Sequence, residues 1–181
     1  IALLPVFGLI GLWIKRDSPG PMFFRGARAG KGGKTFKIYK FRTMDIDAEE
    51  RLGELVDLAQ LEQPAFKLAD DPRVTRVGHF LRRWSLDELP QFWNVLCGEM
   101  SLVGPRPPLA KEVAQYEAWQ LRRLEVAPGM TGLWQVSGRS NLSFDEQCLL
   151  DIFYIENWSP LLDIKIMIRT LPIVLTGAGA Y

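Results

Sequence analysis

The sequence has few of the side chains that build disulfide frameworks or metal centres. Two cysteines, Cys97 and Cys148, are too few for a framework or a four-thiolate site. A single histidine, His79, argues against a histidine-ligated zinc site and against a His-dependent catalytic triad. An excess of one charge is also absent, because 22 Lys and Arg nearly cancel 21 Asp and Glu, so the net charge says nothing about a nucleic-acid partner. No nucleic-acid partner is expected.

The composition is that of a folded domain with an apolar bias. The chain has 181 residues, 48% hydrophobic and 24% charged, and it contains no repeat or low-complexity tract. Disordered and solenoid architectures are therefore excluded. Six tryptophans and a mean hydropathy of 0.00 are on the apolar side for a soluble domain, which is a first indication of a membrane.

The first segment, Ile1–Ile14, carries no charge but is too short to span a bilayer. Fourteen helical residues reach roughly 21 Å, whereas the hydrocarbon core is roughly 30 Å thick. Pro5 is expected to break or kink the helix. Lys15 and Arg16 indicate an interfacial anchor, which predicts a membrane-inserted helix (exit arm) over residues 1–16, with the rest of the chain, residues 17–181, on the cytoplasmic side. A buried core helix is the alternative, and residues upstream of Ile1 are expected because the chain does not begin with Met.

Charge is balanced in total but not along the chain. Residues 1–44 carry nine basic residues and one acid, Asp17, whereas residues 45–62 carry seven acids and one base, Arg51. We expect the basic block to face phosphates and the acidic block to face water.

The patterning predicts an α+β fold that is mostly helical and contains one small β-hairpin. Met22–Gly26 and Phe36–Phe41 have strand-like content and flank a glycine-rich turn, which indicates a hairpin with a basic face. Loops are predicted over 128–132 and 137–140. Helices are predicted over Asp47–Gln63, His79–Trp84, Glu88–Leu96, Pro108–Glu125, Phe144–Glu156 and Leu161–Thr176.

The last of these helices is apolar and carries Lys165 and Arg169 four residues apart on one face. This pattern is typical of an amphipathic helix lying in the membrane interface. A buried C-terminal helix with two snorkelling bases explains it nearly as well.

The glycine-rich turn matches the end of a phosphate-binding P-loop only at Gly33, Lys34 and Thr35. That motif needs a glycine five positions before Gly33, where Arg28 stands, and a helix rather than a strand afterwards. A nucleoside triphosphatase is therefore disfavoured. Contact between the turn and phosphate or lipid headgroups stays open.

The most informative segment contains an adjacent Asp-Glu pair. Pro90 is tolerated only in the first turn of a helix, which predicts Asp87 near the N-cap and Glu88 in the first turn. One interpretation is a helix cap that stabilises the fold by about 1 kcal/mol. The other is phosphate chemistry, since a helix N-terminus attracts phosphate and Arg82 and Arg83 lie one turn upstream. Asp87 is then a candidate nucleophile, and Glu88 with Asp87 a candidate Mg²⁺ site.

Further cations are candidates for binding phosphate. Arg106 stands among prolines in Gly104–Pro108, where a stiff backbone preorganises a bidentate contact, although an exposed turn is the simpler explanation. Arg139 lies in a loop of small residues, where an arginine is usually just exposed. Lys40 and Arg42 flank Phe41, an arrangement that strand alternation explains equally well.

Seven ordered blocks of the sequence together resemble one family. They are Pro19–Pro21, Lys40–Met44, Asp71–Gly78, Ser85–Leu96, Met100–Pro107, Pro128–Arg139 and Tyr154–Ser159. Over almost its whole length the chain resembles the bacterial sugar transferases, which are monotopic polyprenyl-phosphate phosphoglycosyl transferases. Its last residues, Gly177–Tyr181, look like the ending of the longer enzymes that prime exopolysaccharide and O-antigen synthesis.

The resemblance implies a membrane-associated monotopic catalytic domain on the cytoplasmic face of the bacterial inner membrane. It implies an N-terminal re-entrant helix, here truncated, that is broken at a Ser-Pro pair, together with interfacial amphipathic helices. Pro5 stands where the family proline belongs, but Leu4 replaces the serine.

The resemblance also implies a reaction and its residues. A sugar-1-phosphate, expected to be a hexose-1-phosphate, passes from a UDP-sugar to undecaprenyl phosphate, and UMP is released. Asp87 is implied as the nucleophile that forms a phosphosugar-aspartate intermediate, and Glu88 as an aid to Mg²⁺ binding. Arg82, Arg106 and Arg139 are implied as contacts to phosphate or nucleotide. The expected partners are UDP-sugar, undecaprenyl phosphate and inner-membrane lipid, and a homodimer is left open.

Two rival functions remain at this point. A membrane-bound phosphatase or pyrophosphatase would use the same aspartate with water as the acceptor. A non-catalytic adaptor would bind anionic lipid through the basic hairpin, and it leaves the context of Asp87 and Glu88 unexplained.

Overall fold

The computed structural model describes residues 4–51, 71–138 and 141–177. Two small sheets lie among a larger number of helices, which confirms the mostly helical α+β prediction. The strands are β1 (Phe23–Ala29), β2 (Thr35–Phe41), β3 (Ser101–Val103) and β4 (Gly129–Thr131). The helices are α1 (Leu4–Asp17), α2 (Arg76–Arg83), α3 (Gln91–Leu96), α4 (Ala110–Val113), α5 (Leu133–Ser137), α6 (Phe144–Glu156) and α7 (Pro160–Thr176), with 3₁₀ segments at Lys31–Gly33, Leu86–Glu88 and Gln120–Leu124.

The predicted hairpin is confirmed, and its first strand is longer than expected. Strands β1 and β2 pair antiparallel, with the register running from Phe23 opposite Phe41 to Ala29 opposite Thr35. Gly32 and Gly33 in the connecting turn have φ of 65° and 76°. Glycine adopts this left-handed conformation without steric cost, which explains the glycine-rich tip.

Two predicted helices are wrong as continuous elements. In Glu88–Leu96 the helix begins only after Pro90, and Glu88 lies in a separate 3₁₀ turn. In Pro108–Glu125 only α4 and the 3₁₀ segment Gln120–Leu124 form. The side-chain oxygen of Gln120 accepts the backbone N–H of Glu117 at 2.8 Å, so a local side-chain bond replaces the helical ladder there.

The segment predicted as a loop at 128–132 contains β4, which pairs in parallel with β3. The two strands cross closely at glycine. A Cβ on Gly129 would lie 2.1 Å from the backbone nitrogen of Gly104, so only glycine fits. The end of β3 is thereby fixed immediately before Pro105 and Arg106.

One hydrophobic core joins α1, the hairpin and α2. Ile10 and Ile14 of α1 pack with Phe41, Val77 and Leu81, and Leu86 and Leu89 of the Asp-Glu segment pack against the same cluster. The predicted boundary between residues 16 and 17 falls inside α1, which continues to Asp17. The Asp17 carboxylate accepts the backbone N–H of Val77 at 3.0 Å, fixing the end of α1 to the start of α2.

Helix α1 leaves its other side exposed, and so does α7. Pro5 occupies the first turn of α1. The exposed apolar residues of α1 are Leu4, Val6, Leu9, Leu12 and Trp13. On α7, exposed apolar residues recur at heptad-like spacing at Leu161, Ile164, Ile168, Leu171 and Leu175, whereas Ile166 is buried. Among the described residues, no helix combines the length and the apolar character that crossing a membrane requires.

Of the remaining predicted elements, α6 matches Phe144–Glu156, α7 begins one residue earlier than predicted, and α2 runs over Arg76–Arg83. The predicted helix Asp47–Gln63 forms turns up to Arg51, and its rest lies outside the described residues. The predicted loop 137–140 overlaps the end of α5, and residues 139 and 140 also lie outside them.

Candidate active site

Asp87 and Glu88 lie in the 3₁₀ turn between α2 and α3. Ser85 precedes this turn with φ of 52°, which is uncommon for a residue other than glycine. Its backbone N–H donates to the carbonyl of Arg82 at 3.0 Å, and its own carbonyl accepts from Glu88 at 3.2 Å. The strained residue therefore turns the chain between the helix that carries Arg82 and the two carboxylates.

The Glu88 carboxylate is held by a cation from the hairpin. Lys40 Nζ donates to Glu88 Oε1 at 2.6 Å, and both side chains are partly shielded from solvent. Burial alone would raise the pKa of Glu88, but the charge and hydrogen bond of Lys40, the charge of Arg106 and a hydrogen bond from Gln91 together lower it. Glu88 is therefore a carboxylate at neutral pH.

Asp87, its neighbour, has the opposite shift. The residue is only 9% exposed, and this burial raises its pKa to about 6 with help from the Glu88 charge, although Lys40 and Arg82 act in the other direction. Asp87 is thus largely ionised at neutral pH but poorly solvated. A poorly solvated carboxylate beside cations is suited to attack an electrophilic phosphorus.

Arg82 is positioned by close packing between α2 and Thr43. A Cβ on Gly78 would lie 2.1 Å from the Thr43 carbonyl oxygen, which also accepts the Thr75 N–H at 3.0 Å. One turn later, Arg82 Nε donates to Thr43 Oγ1 at 2.9 Å. The guanidinium lies near enough to Asp87 for the two charges to influence each other's pKa.

Arg106 is exposed on an anchored segment. Buried Pro105 accepts the Gly129 N–H at 2.8 Å, and buried Pro108 accepts the Ala29 N–H at 2.9 Å. The charge of Arg106 contributes to lowering the pKa of Glu88. The structure therefore brings Lys40, Arg82 and Arg106 together around the carboxylate pair.

Arg42 does not join this group. Its buried guanidinium donates to Ser18 Oγ at 2.7 Å, to the Ser18 carbonyl at 2.9 Å, and to the carbonyls of Pro21 and Met44 at 2.7 and 3.3 Å. These bonds fix the end of α1 to the hairpin, so the geometry favours a structural role over the predicted phosphate contact. Arg139 lies outside the described residues, and its role stays a prediction.

Two side chains that support the site, Gln91 and Asn94, are not among the candidates predicted from the sequence. Gln91 is 2% exposed, and its side chain helps to lower the pKa of Glu88. Asn94 is fully buried, accepts the Tyr39 N–H at 3.0 Å and donates to the Lys37 carbonyl at 2.8 Å, which fastens α3 to the edge of β2. In the sequence they are marked only as two polar residues one helical turn apart after Pro90.

The two carboxylates can hold a metal ion only together with further ligands. Among the described residues, no group of three or more His, Cys, Asp or Glu side chains could hold an ion. Mg²⁺ is commonly bound by one or two carboxylates plus substrate phosphates, which the pair can satisfy. One oxygen of Glu88 is already engaged by Lys40.

The segment that matches a known protein family includes every residue of the site described above. The family described as bacterial sugar transferase matches residues 1–177. The chain belongs to the bacterial sugar transferase family.

Three curated relatives are named as sugar transferases or as an exopolysaccharide production protein. The chain is 48% identical to "Galactosyl transferase CpsE" of Streptococcus agalactiae serotype III over 98% of this chain and 40% of that protein. It is 46% identical to "Undecaprenyl-phosphate galactose phosphotransferase" of Salmonella typhimurium, covering 96% and 37%. It is 42% identical to "Exopolysaccharide production protein ExoY" of Rhizobium meliloti, covering 100% and 83%. The chain thus spans about two fifths of the longer relatives and most of ExoY.

Proposed function

We propose that the protein transfers a sugar-1-phosphate from a UDP-sugar to undecaprenyl phosphate through a covalent intermediate on Asp87. The main support is a pair of adjacent carboxylates whose pKa values are shifted in opposite directions. Lys40 keeps Glu88 ionised, while burial raises the pKa of Asp87 to about 6. Relatives named as undecaprenyl-phosphate galactose and glucose-1-phosphate transferases support the substrate classes.

In the first half-reaction, an Asp87 carboxylate oxygen forms a bond to the β-phosphorus of the UDP-sugar. The bond between that phosphorus and the bridging oxygen breaks, and the oxygen leaves with its electron pair as part of UMP. The buried position of Asp87 limits competition from water, and Arg82 and Lys40 offset the negative charge gathered around it.

In the second half-reaction, an oxygen of the lipid phosphate attacks the same phosphorus. The acyl-phosphate bond breaks, the Asp87 carboxylate is restored, and the sugar is left on a polyprenyl diphosphate. Both nucleophiles are anions, so neither step requires a general base. A His residue in the site is therefore unnecessary.

Glu88 and Asp87 are the residues that would hold Mg²⁺, together with oxygens of the diphosphate. The ion would neutralise charge on the phosphates. Lys40 already engages Glu88 Oε1, so only the other carboxylate oxygen of Glu88 would be available to the ion.

We also propose that the domain rests on the cytoplasmic face of the inner membrane, where the lipid acceptor is found. The exposed apolar side chains of α1 and α7 support this proposal, since large exposed apolar patches mark interaction surfaces. Trp13 contacts Phe80 with ring centroids 5.1 Å apart, and Phe80 lies 6.5 Å from Trp84, which extends the apolar surface from α1 to α2. Gly177, which ends α7, lies against Arg83 beside Trp84.

The acceptor separates this function from its closest rival, a phosphatase that uses the same aspartate. Without lipid, UMP release from a UDP-sugar should stop after one equivalent per protein, and with added undecaprenyl phosphate it should continue until the lipid is consumed. Steady release without lipid would instead show water acting as the acceptor. Comparing a panel of UDP-sugars in the same assay would identify the sugar.

A further inference from the structure

Arg28 lies on the side of the hairpin that faces the site, although the sequence suggested no role for it. In the β1–β2 register, Arg28 is opposite Phe36 and Lys40 is opposite Phe24. Paired residues share a face, and residues four positions apart on one strand share it too. Arg28 is therefore on the same face as Lys40, the residue that holds Glu88.

The segment that carries Arg106 is bound directly beside Arg28. The Ala29 N–H donates to the carbonyl of Pro108 at 2.9 Å, which attaches the end of β1 to the proline-rich segment. Burial and the Arg106 charge lower the pKa of Arg28, while Glu112 and Glu88 act in the other direction. The two arginines are thus close neighbours, near Glu88.

Neither arginine has an anionic partner among the described residues. The Glu88 oxygen Oε1 is taken by Lys40 at 2.6 Å, and the Glu112 carboxylate accepts the Leu109 N–H at 2.8 Å at the start of α4. In the part of the chain that the structure describes, no ion pair or hydrogen bond engages the side chain of Arg28 or Arg106. Two like charges that are close together and unpaired, one of them half-buried, form a site for an anion.

The cations act unequally on the two carboxylates, and only Lys40 is a main influence on both. Lys40 and Arg82 are the cations whose charges act on Asp87. Arg106 acts on Glu88 and on Arg28. Arg28 and Arg106 therefore lie near Glu88, the neighbour of the attacking carboxylate.

We infer that Arg28, with Arg106, binds the nucleotide phosphate that leaves as UMP in the first half-reaction. This inference rests on the proposed function. When the bond between the β-phosphorus and the bridging oxygen breaks, negative charge builds up on the departing α-phosphate. Two guanidiniums at that position stabilise this charge, and the phosphate in turn relieves their mutual repulsion.

The experiment uses the full chain with three variants and reads binding and the two half-reactions separately. Arg28→Gln removes the charge, and Arg28→Lys keeps the charge without the planar fork. Arg25→Gln is the matched control, because Arg25 is an exposed arginine three residues away on the opposite face of β1, lying over the Tyr39 ring. UMP affinity is measured by calorimetry, adduct formation by rapid-quench mass spectrometry, and discharge by adding undecaprenyl phosphate to the preformed adduct.

We expect Arg28→Gln to weaken UMP binding by about 10- to 100-fold, the loss typical of a hydrogen bond to a charged group, and to slow adduct formation. Discharge of the preformed adduct should change much less, and Arg25→Gln should match the wild type. Arg28→Lys should fall between, and it supplies the measurement if the Gln variant does not fold.

Unchanged UMP affinity and adduct formation in the Arg28 variants would overturn the inference. Slower discharge with normal adduct formation would also overturn it, since Arg28 would then contact the acceptor phosphate. A wild-type protein that binds UMP but forms no adduct would refute the proposed function instead. The effect of Arg28 on UMP binding would still be readable in that case.

Discussion

Lys40 on β2 donates a 2.6 Å hydrogen bond to Glu88, the residue directly after Asp87. The contact spans 48 positions of sequence and joins the hairpin to the 3₁₀ turn between α2 and α3. The contact helps to keep Glu88 ionised, whereas burial raises the pKa of Asp87 to about 6. The pKa values of the two neighbouring carboxylates are therefore shifted in opposite directions. Paired acids with divergent pKa values are typical of sites that divide two chemical roles.

Removing the Lys40 charge should impair the chemistry of Asp87. Lys40→Met should slow adduct formation by at least about tenfold at neutral pH, because one cation that favours ionised Asp87 is lost. Lys37→Met is the control, since Lys37 is an exposed residue of the same strand. Rapid-quench kinetics with a UDP-sugar measure the effect, and equal rates in the two variants would speak against the role of Lys40.

The pH dependence of adduct formation should report the ionisation of Asp87. The rate should rise as pH increases through about 6 and then level off, because only the carboxylate attacks phosphorus and burial raises its pKa to that value. In Lys40→Met the midpoint should move to higher pH. A rate that stays constant from about pH 5 to 8 would show that ionisation of Asp87 does not limit the step.

Asp87→Asn should stabilise the protein at neutral pH while abolishing activity. The folded-state pKa lies above the ordinary value of 3.8, so folding favours the protonated form, and this favourable contribution is lost as pH rises through about 6. We expect the free energy of unfolding to increase by about 1–3 kcal/mol at pH 7.5.

The stabilising effect of Asp87→Asn should shrink as pH falls from about 6 towards 4, where the wild-type carboxyl is protonated. Glu49→Gln, a change at an exposed site, should show no such trend. Chemical denaturation at several pH values measures both variants. An Asn variant that is less stable than the wild type at pH 7.5 would contradict the unfavourable burial of the charge.

Arg42→Lys should lower stability and leave substrate binding intact. Lysine cannot reproduce the bonds that the guanidinium makes to Ser18, Pro21 and Met44, and we expect a loss of about 1–3 kcal/mol. Ser18→Ala should act in the same direction through the same contact. Thermal unfolding and KM for the UDP-sugar distinguish the roles, since a raised KM with normal stability would restore the phosphate contact predicted from sequence.

The sequence was most informative where local patterns decide the structure. The hairpin follows from two strand-like segments around a glycine-rich turn. Helix α6 matches its predicted bounds because Ser143 and Glu146 form a reciprocal capping box at its start. Pro90 and the arginines upstream are enough to mark Asp87 and Glu88 as candidate site residues without any tertiary contact.

Long-range contacts account for what the sequence did not reveal. Lys40 and Arg42 are two residues apart but have different roles, because Lys40 binds Glu88 whereas Arg42 binds Ser18 at the end of α1. Only the packing of α1 against the hairpin reveals this difference. In the sequence, Arg28 is significant only because it stands where a P-loop motif requires glycine. Its proximity to Arg106 depends on a backbone bond between Ala29 and Pro108, which no local pattern predicts.

The intact mass of the protein after mixing with a UDP-sugar in the absence of lipid acceptor tests the role of Asp87 most directly. The wild-type mass should increase by one phosphosugar with release of one equivalent of UMP, and the adduct should disappear when undecaprenyl phosphate is added. Asp87→Asn should remain unmodified, and peptide mapping should place the adduct on Asp87. An Asn variant that turns over at a near-normal rate would contradict the covalent role of Asp87 and leave it as a structural residue of the 3₁₀ turn.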